Sequence, residues 1–314
     1  MKSSLPKLIL FVLLFAACNT SRNSSQSSNE SVVNSEASPE IAPDMQAQSL
    51  TDLPQSQFGG FILKPGFYEA EFKTYCLQPG TPDPRQGDAY LQGPITGYRK
   101  DIVQSILLNS RDNQEIDQRN IQLLLWSVVS GSDFTNLSYS VQTDAAKLLT
   151  PKQIFELKGG VMGVIKNVSY SSGLMNANND IRRLFETSIN SYEAYEKIAV
   201  QREQSKIIKK GVKYDQWYKQ KENYYVRYFP ESYKKVKIQV YVPNGILDAD
   251  NKLNDEFVVF DPTGQQAIPA FTNAQRLGIG STVVDVVRAI IKIDKRAAPV
   301  KKIPKKTDNP KSAT

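Results

Sequence analysis

FYEAEFKTYCL, residues 67–77, alternates along its whole length. Tyr68, Ala70, Phe72, Thr74 and Cys76 fall on one side, and Glu69, Glu71, Lys73, Tyr75 and Leu77 on the other. Side chains of an extended chain point to opposite faces at period two. The stretch therefore predicts a strand with one charged face and one inward face, and Cys76 belongs to the inward one.

On its amino-terminal side, Phe61 to Leu63 reads as a short strand that stops at Pro65-Gly66. On its carboxy-terminal side, Pro79-Gly80 and Thr81 to Gly87 read as a loop. Helical spacing follows, with Ile102, Val103, Ile106 and Leu107, then Ile121, Leu124, Leu125 and Val128 behind an N-cap at Asp117. Thr150-Pro151-Lys152-Gln153 has the form of a capping box with proline at the first helical position, and Leu149 and Ile154 can staple it. Ile181, Leu184, Phe185, Ile189, Tyr192 and Ile198 then mark a long amphipathic helix. Lys234 to Val242 alternates as a strand, and Glu256 to Phe260 reads as another, ended by the turn Asp261-Pro262-Thr263-Gly264. Val283 to Ile293 fits a final strand or helix equally well. The fold class expected is α+β: short strands, a helical middle segment with one long amphipathic helix, and a smaller β-containing carboxy-terminal part.

The amino terminus has a separate character. Lys2 and Lys7 precede the apolar run Leu8 to Ala17. Ten helical residues rise only about 15 Å, against a bilayer core of about 30 Å, so the run reads as a processed export signal and not as a membrane span. Ala16-Ala17 directly before Cys18 resembles the lipobox of bacterial lipoproteins, with Phe15 in place of the usual leucine. The resemblance implies cleavage before Cys18 and a covalent lipid on its sulfur. Asn19 to Glu40 holds eight serines and little to bury, which suits a disordered tether. The expected organisation is a signal peptide over 1–17, a lipidated serine-rich linker over 18–57, an α+β region over 58–170, a long helix with further strands over 171–293, and a basic disordered tail over 294–314.

Charge and residue counts narrow the function. The net charge is +7, and removing Lys2 and Lys7 leaves +5. From Lys292 onward eight basic residues face Asp294 and Asp308, so the tail carries +6 and the rest of the mature chain about −1. A basic tail on a near-neutral body is not the footprint of a nucleic-acid-binding module. The chain has no histidine, which removes Ser-His-Asp and Cys-His catalysis and histidine-ligated metals. No other catalytic constellation stands out, so the expectation is a non-enzyme with no metal and no cofactor beyond the lipid. Of two cysteines, Cys18 goes to the lipid, which leaves Cys76 without an intrachain disulfide partner.

Cys76 has a different candidate partner. Tyr75-Cys76-Leu77-Gln78-Pro79-Gly80 sits on the strand, and the helix 46 residues later reads Ile121-Gln122-Leu123-Leu124-Leu125-Trp126. Over residues 67–130 this resembles the thioester domain of bacterial surface adhesins. Such a domain carries an aromatic-Cys-aliphatic segment and a later T-Q-x-A-aliphatic-W helix; Ile121 and Leu124 stand here for the threonine and the alanine. The resemblance implies an internal thioester between Cys76 and Gln122 that captures a nucleophile on a partner surface. Trp126, one helical turn from Gln122, would shield the bond. The plainer reading of Cys76 is a small buried hydrophobe.

An aromatic cluster offers a second candidate. Trp217, Tyr218, Tyr224 and Tyr225 interleave with lysines and form a candidate binding surface for a glycan, or else rings that pack on the core. Gly278-Ile279-Gly280-Ser281-Thr282 and Asp248-Ala249-Asp250-Asn251 lack the rest of a nucleotide or calcium motif and read as turns. The function expected is a lipid-anchored extracytoplasmic protein that binds or adheres to a surface protein or glycan. The alternative is a scaffold among cell-envelope proteins without covalent chemistry.

Overall fold

The computed structural model describes residues 45–159, 172–187, 189, 191–209, 216–245, 257–284 and 290–291. Cys18, the expected signal peptide, most of the expected tether, Asp248 to Asn251 and the expected basic tail lie outside the described residues.

Seven strands make one antiparallel sheet. They are β1 (Gly66–Cys76), β2 (Tyr90–Pro94), β3 (Tyr218–Lys219), β4 (Tyr225–Ser232), β5 (Lys235–Val242), β6 (Gln265–Pro269) and β7 (Leu277–Thr282). Their order is β2-β6-β7-β1-β5-β4-β3, and the short strand Gln48–Ser49 runs parallel to β1 at its side. The sheet curls until its two ends approach, where the Tyr228 hydroxyl of β4 donates to Gln92 Oε1 of β2 at 2.8 Å. The result is a nearly closed, barrel-like sheet.

The period-two reading of β1 holds from Tyr68 to Thr74 and ends there, because Tyr75, expected on the outer face, is fully buried. Tyr68, Ala70, Phe72 and Cys76 are buried, and opposite them Val240, Ile238 and Val236 of β5 turn to the same interior. On the outer face Lys235 meets Glu71 at 3.2 Å and Gln239 donates to Glu69 at 2.7 Å. Cross-strand pairing of this kind sets the register, because a slip of one residue would exchange the two faces.

Among the described residues six short α-helices accompany the sheet: α1 (Lys100–Asn109), α2 (Gln118–Ser130), α3 (Tyr139–Leu148), α4 (Pro151–Leu157), α5 (Ser172–Glu186) and α6 (Tyr192–Ala199). Asp117 caps α2 and Thr150 with Gln153 forms the capping box of α4, as their sequences predict.

The expected fold class requires correction. Among the described residues the chain is sheet-rich, and its middle is a set of short helices without one long amphipathic helix. The periodic run 181–198 breaks between α5 and α6. Thr187 turns its hydroxyl back to the carbonyls of Arg183 and Leu184, and Ser191 accepts from the Ala194 N–H to start α6 anew. Short hydroxyl side chains compete in this way with helix continuation.

Three further expectations change. Gly278 to Thr282 is no turn but belongs to β7, buried at every position. Its glycines admit α1: a Cβ at Gly278 would stand 2.9 Å from Leu107 Cδ1, and one at Gly280 would stand 2.7 Å from Tyr75 Cε2. The tether does not run to residue 57, because Leu50 is fully buried and Gln55–Ser56 pairs with Phe61–Leu63 in a second, smaller sheet. The boundary expected near 170 does not separate one body from another either, since β5 and β7 flank β1.

Candidate functional site

The site forms where β1 outlasts its neighbour. β5 pairs with β1 from Gly66 to Lys73, and Thr74 N–H still reaches the Lys234 carbonyl at 2.9 Å. Past that point β5 has ended, while β7 continues on the other side opposite Tyr75 and Cys76. The edge facing α2 therefore presents peptide groups with no strand to receive them. Buried peptide groups need partners. Two glutamines of α2, spaced one helical turn apart, supply them.

Gln118 Nε2 donates to the carbonyls of Thr74 at 3.1 Å and Lys234 at 2.8 Å. Gln122 makes a reciprocal clamp on Cys76: its Oε1 accepts from the Cys76 N–H at 2.8 Å, and its Nε2 donates to the Cys76 carbonyl at 3.0 Å. A peptide N–H only donates and a peptide C=O only accepts, so this pairing fixes which end of the amide is oxygen. Both residues are buried, Gln122 to 1 % exposure.

Trp126 extends the same stripe of α2 by one more turn and is fully buried. Its indole lies 5.5 Å from the Tyr192 ring and 6.4 Å from the Tyr233 ring. Burial pushes the Cys76 thiol up to about 12, and the indole N–H of Trp126 acts on the sulfur in the opposite direction. That N–H makes no full hydrogen bond, and Thr74 Oγ1 and the Tyr75 hydroxyl are likewise buried without a partner. Buried polar atoms without a partner are uncommon in a folded interior.

Above Gln122 opens a cleft of about 210 Å³, with Thr74, Gln118, Tyr192, Tyr233 and Lys234 among its walls. Two of these walls, Tyr192 and Tyr233, begin a chain of hydrogen bonds. The Tyr192 and Tyr233 hydroxyls lie 2.8 Å apart, and the Tyr233 hydroxyl donates to Glu196. Lys234 at 2.9 Å and Arg202 at 3.5 Å pair with the Glu196 carboxylate. Burial alone would raise Glu196, but the Tyr233 hydroxyl and the Lys234 ammonium outweigh it and hold the carboxyl below its usual range. Burial raises both tyrosines, so each hydroxyl keeps its proton at neutral pH. Arg119 at the rim stands 5.1 Å over the Tyr192 ring and pairs with Glu193 at 3.2 Å.

Cys76, Gln122 and Trp126, named from sequence, thus stand together. Trp217, Tyr218, Tyr224 and Tyr225 do not form the open platform expected of a glycan surface. Trp217 and Tyr218 are buried, and the Arg227 guanidinium covers the Trp217 ring at 4.2 Å while Phe67 meets it edge-on. Tyr224 packs edge-on against Phe260, and Tyr225 lies 6.3 Å from Tyr241. These rings serve the core because β3 and β4 fold them onto the sheet. Gln118, Glu196 and the Tyr192–Tyr233 contact escaped the sequence reading. The available signal was Tyr192 and Glu196 at i and i+4, which share a helix face.

Among the described residues no group of three or more cysteine or carboxylate side chains is placed to hold a metal, and no helix is long and apolar enough to cross a membrane. No protein-family model, curated protein or solved structure matches the chain.

Proposed function

We propose that the protein is a lipid-anchored extracytoplasmic binding or adhesion protein that carries an internal thioester between Cys76 and Gln122. The observation that carries this reading is the reciprocal clamp, which holds the Gln122 carboxamide against the residue whose sulfur would attack it. Holding two reactants in place replaces an encounter in solution, an effect worth up to about 7–11 kcal/mol of barrier.

The chemistry balances without a cofactor. The Cys76 sulfur attacks Gln122 Cδ, the C–S bond forms, the C–N bond breaks, and the thiol proton leaves with the nitrogen as ammonia. The Cys76 N–H already donates to Oε1, so it meets the negative charge that grows on that oxygen. The Trp126 N–H eases formation of the thiolate against the cost of burial. Trp126, Tyr192 and Tyr233 shield the acyl group from water. An activated acyl group held beneath a cleft then captures a nucleophile of a surface protein or glycan. The export signal, the lipobox-like Ala16-Ala17-Cys18 and the serine-rich stretch support an anchored, outward-facing position.

Intact mass tests the proposal. The mature wild-type chain is expected to be lighter than its sequence by one ammonia, and Cys76→Ala and Gln122→Ala are expected at full mass. A wild-type chain of full mass that yields one titratable thiol on unfolding would overturn it. That result would favour the scaffolding role, in which the Gln122 clamp only closes the free edge of β1.

A further inference from the structure

We propose that Tyr192, Tyr233 and Glu196 form a proton relay that takes the proton from a nucleophile entering the cleft over Gln122, with Tyr192 Oη as the atom that meets the nucleophile. The assignment rests on the thioester reading and adds how that bond is opened: by a nucleophile that gives up a proton to Tyr192 Oη, for which a primary amine in its neutral form serves.

The direction of the relay follows from counting donors. A carboxylate only accepts, and Tyr233 spends its one hydroxyl proton on Glu196. The 2.8 Å contact between the two hydroxyls must then carry the Tyr192 proton toward Tyr233. Tyr192 Oη is left with an accepting lone pair and no proton to give elsewhere. Tyr192 and Gln122 line the same cleft, so that lone pair belongs to the space a nucleophile must cross. Lys234 pairs with Glu196 Oε1, the oxygen that also accepts from Tyr233, and Arg202 pairs with Oε2, while the carboxylates of Asp83 and Glu193 nearby oppose the negative charge there. The Tyr233 hydroxyl and the two cations outweigh that repulsion and the cost of burial, so the end of the relay is a charged carboxylate.

In the step itself the amine nitrogen attacks Gln122 Cδ; the C–N bond forms and the C–S bond breaks. The nitrogen proton passes to Tyr192, the Tyr192 proton to Tyr233 and the Tyr233 proton to Glu196. Cys76 is released as a thiol, since burial disfavours its thiolate, and the proton it takes up restores the Glu196 carboxylate through water. Net, an amine N–H and an acyl–sulfur bond become an amide and an S–H.

Methylamine is the probe, added to full-length wild type, Tyr192→Phe, Tyr233→Phe and Glu196→Gln, with capture followed by intact mass. The phenylalanines retain the rings that pack on Trp126. All four proteins are expected to lose ammonia on maturation, and the three variants to capture methylamine about 10²-fold more slowly, the lower range for general acid–base assistance. The wild-type rate is expected to fall in deuterated water and the variant rates to fall less, a difference that a purely structural role would not produce. Should one variant fail to fold, the other two interrupt the same relay at different links and decide the matter. Ammonia loss with unchanged capture rates would overturn the relay alone. Folded variants that never lose ammonia would place these residues in formation of the bond and overturn the assignment to its opening. Full mass in the wild type would overturn both readings.

Discussion

At the scale of single residues the protein turns on Gln122. Its side chain stands in for a missing strand, satisfying one N–H and one C=O of Cys76 in a buried place. Replacing it with alanine leaves both groups without a partner, at roughly 1–3 kcal/mol for each. Gln122→Ala is therefore expected to be about 2–6 kcal/mol less stable than Cys76→Ala in chemical unfolding. Cys76→Ala is the proper reference because neither variant can form the thioester, so the difference isolates the clamp. A difference near zero would mean that water or a shifted strand reclaims the edge. The pair Cys76–Gln122 was legible in the sequence because each residue sits in a strongly periodic stretch, the first alternating and the second helical. The acid–tyrosine chain was not legible, since Tyr233 and Glu196 lie 37 positions apart and no spacing ties them.

At the scale of elements, legibility followed periodicity. β1 and β5 alternate because one face is wet, and α2 and α4 announce their caps. β7 could not be read so. It is covered on both faces, hence has no alternation to show, and two glycines in six residues look like a turn. β2, β4 and β6 each contain or end on a proline, which punctuates the pattern of a strand. The glycines of β7 are there for packing. Gly280→Ala would drive a Cβ to 2.7 Å from the Tyr75 ring and 3.0 Å from Ser110 Oγ. Overpacking of this kind costs about 1–3 kcal/mol, and the loss is expected in the unfolding midpoint of that variant. Since Tyr75 is adjacent to Cys76, slower ammonia loss is expected alongside it.

At the scale of the whole molecule, strands from the first and last thirds of the body interleave in one sheet, with β1 at its middle. This explains why a reading along the chain divided the body and the structure does not. It also places the Cys76 end of β1 at the meeting of the sheet with α2. The proposed anchor is a separable question, and it has a separate measurement. Cys18→Ser is expected to move the protein from the detergent phase to the aqueous phase in phase partitioning, with ammonia loss at Cys76 unaffected. Retention in the detergent phase would count against lipid on Cys18.

The spacing between Cys76 and Gln122 has one more consequence. A covalent link across those 46 positions ties the end of β1 to the middle of α2 and closes a long loop of chain. By the loop-entropy account of cross-links, such a closure restrains the unfolded chain by about 4 kcal/mol. An adhesin that captures its target would at that moment cut its own cross-link, so the act of attachment would loosen the body that does the attaching. Gln122 Oε1, which is kept through both steps and faces the Cys76 N–H, is what would hold strand and helix together once the staple is gone.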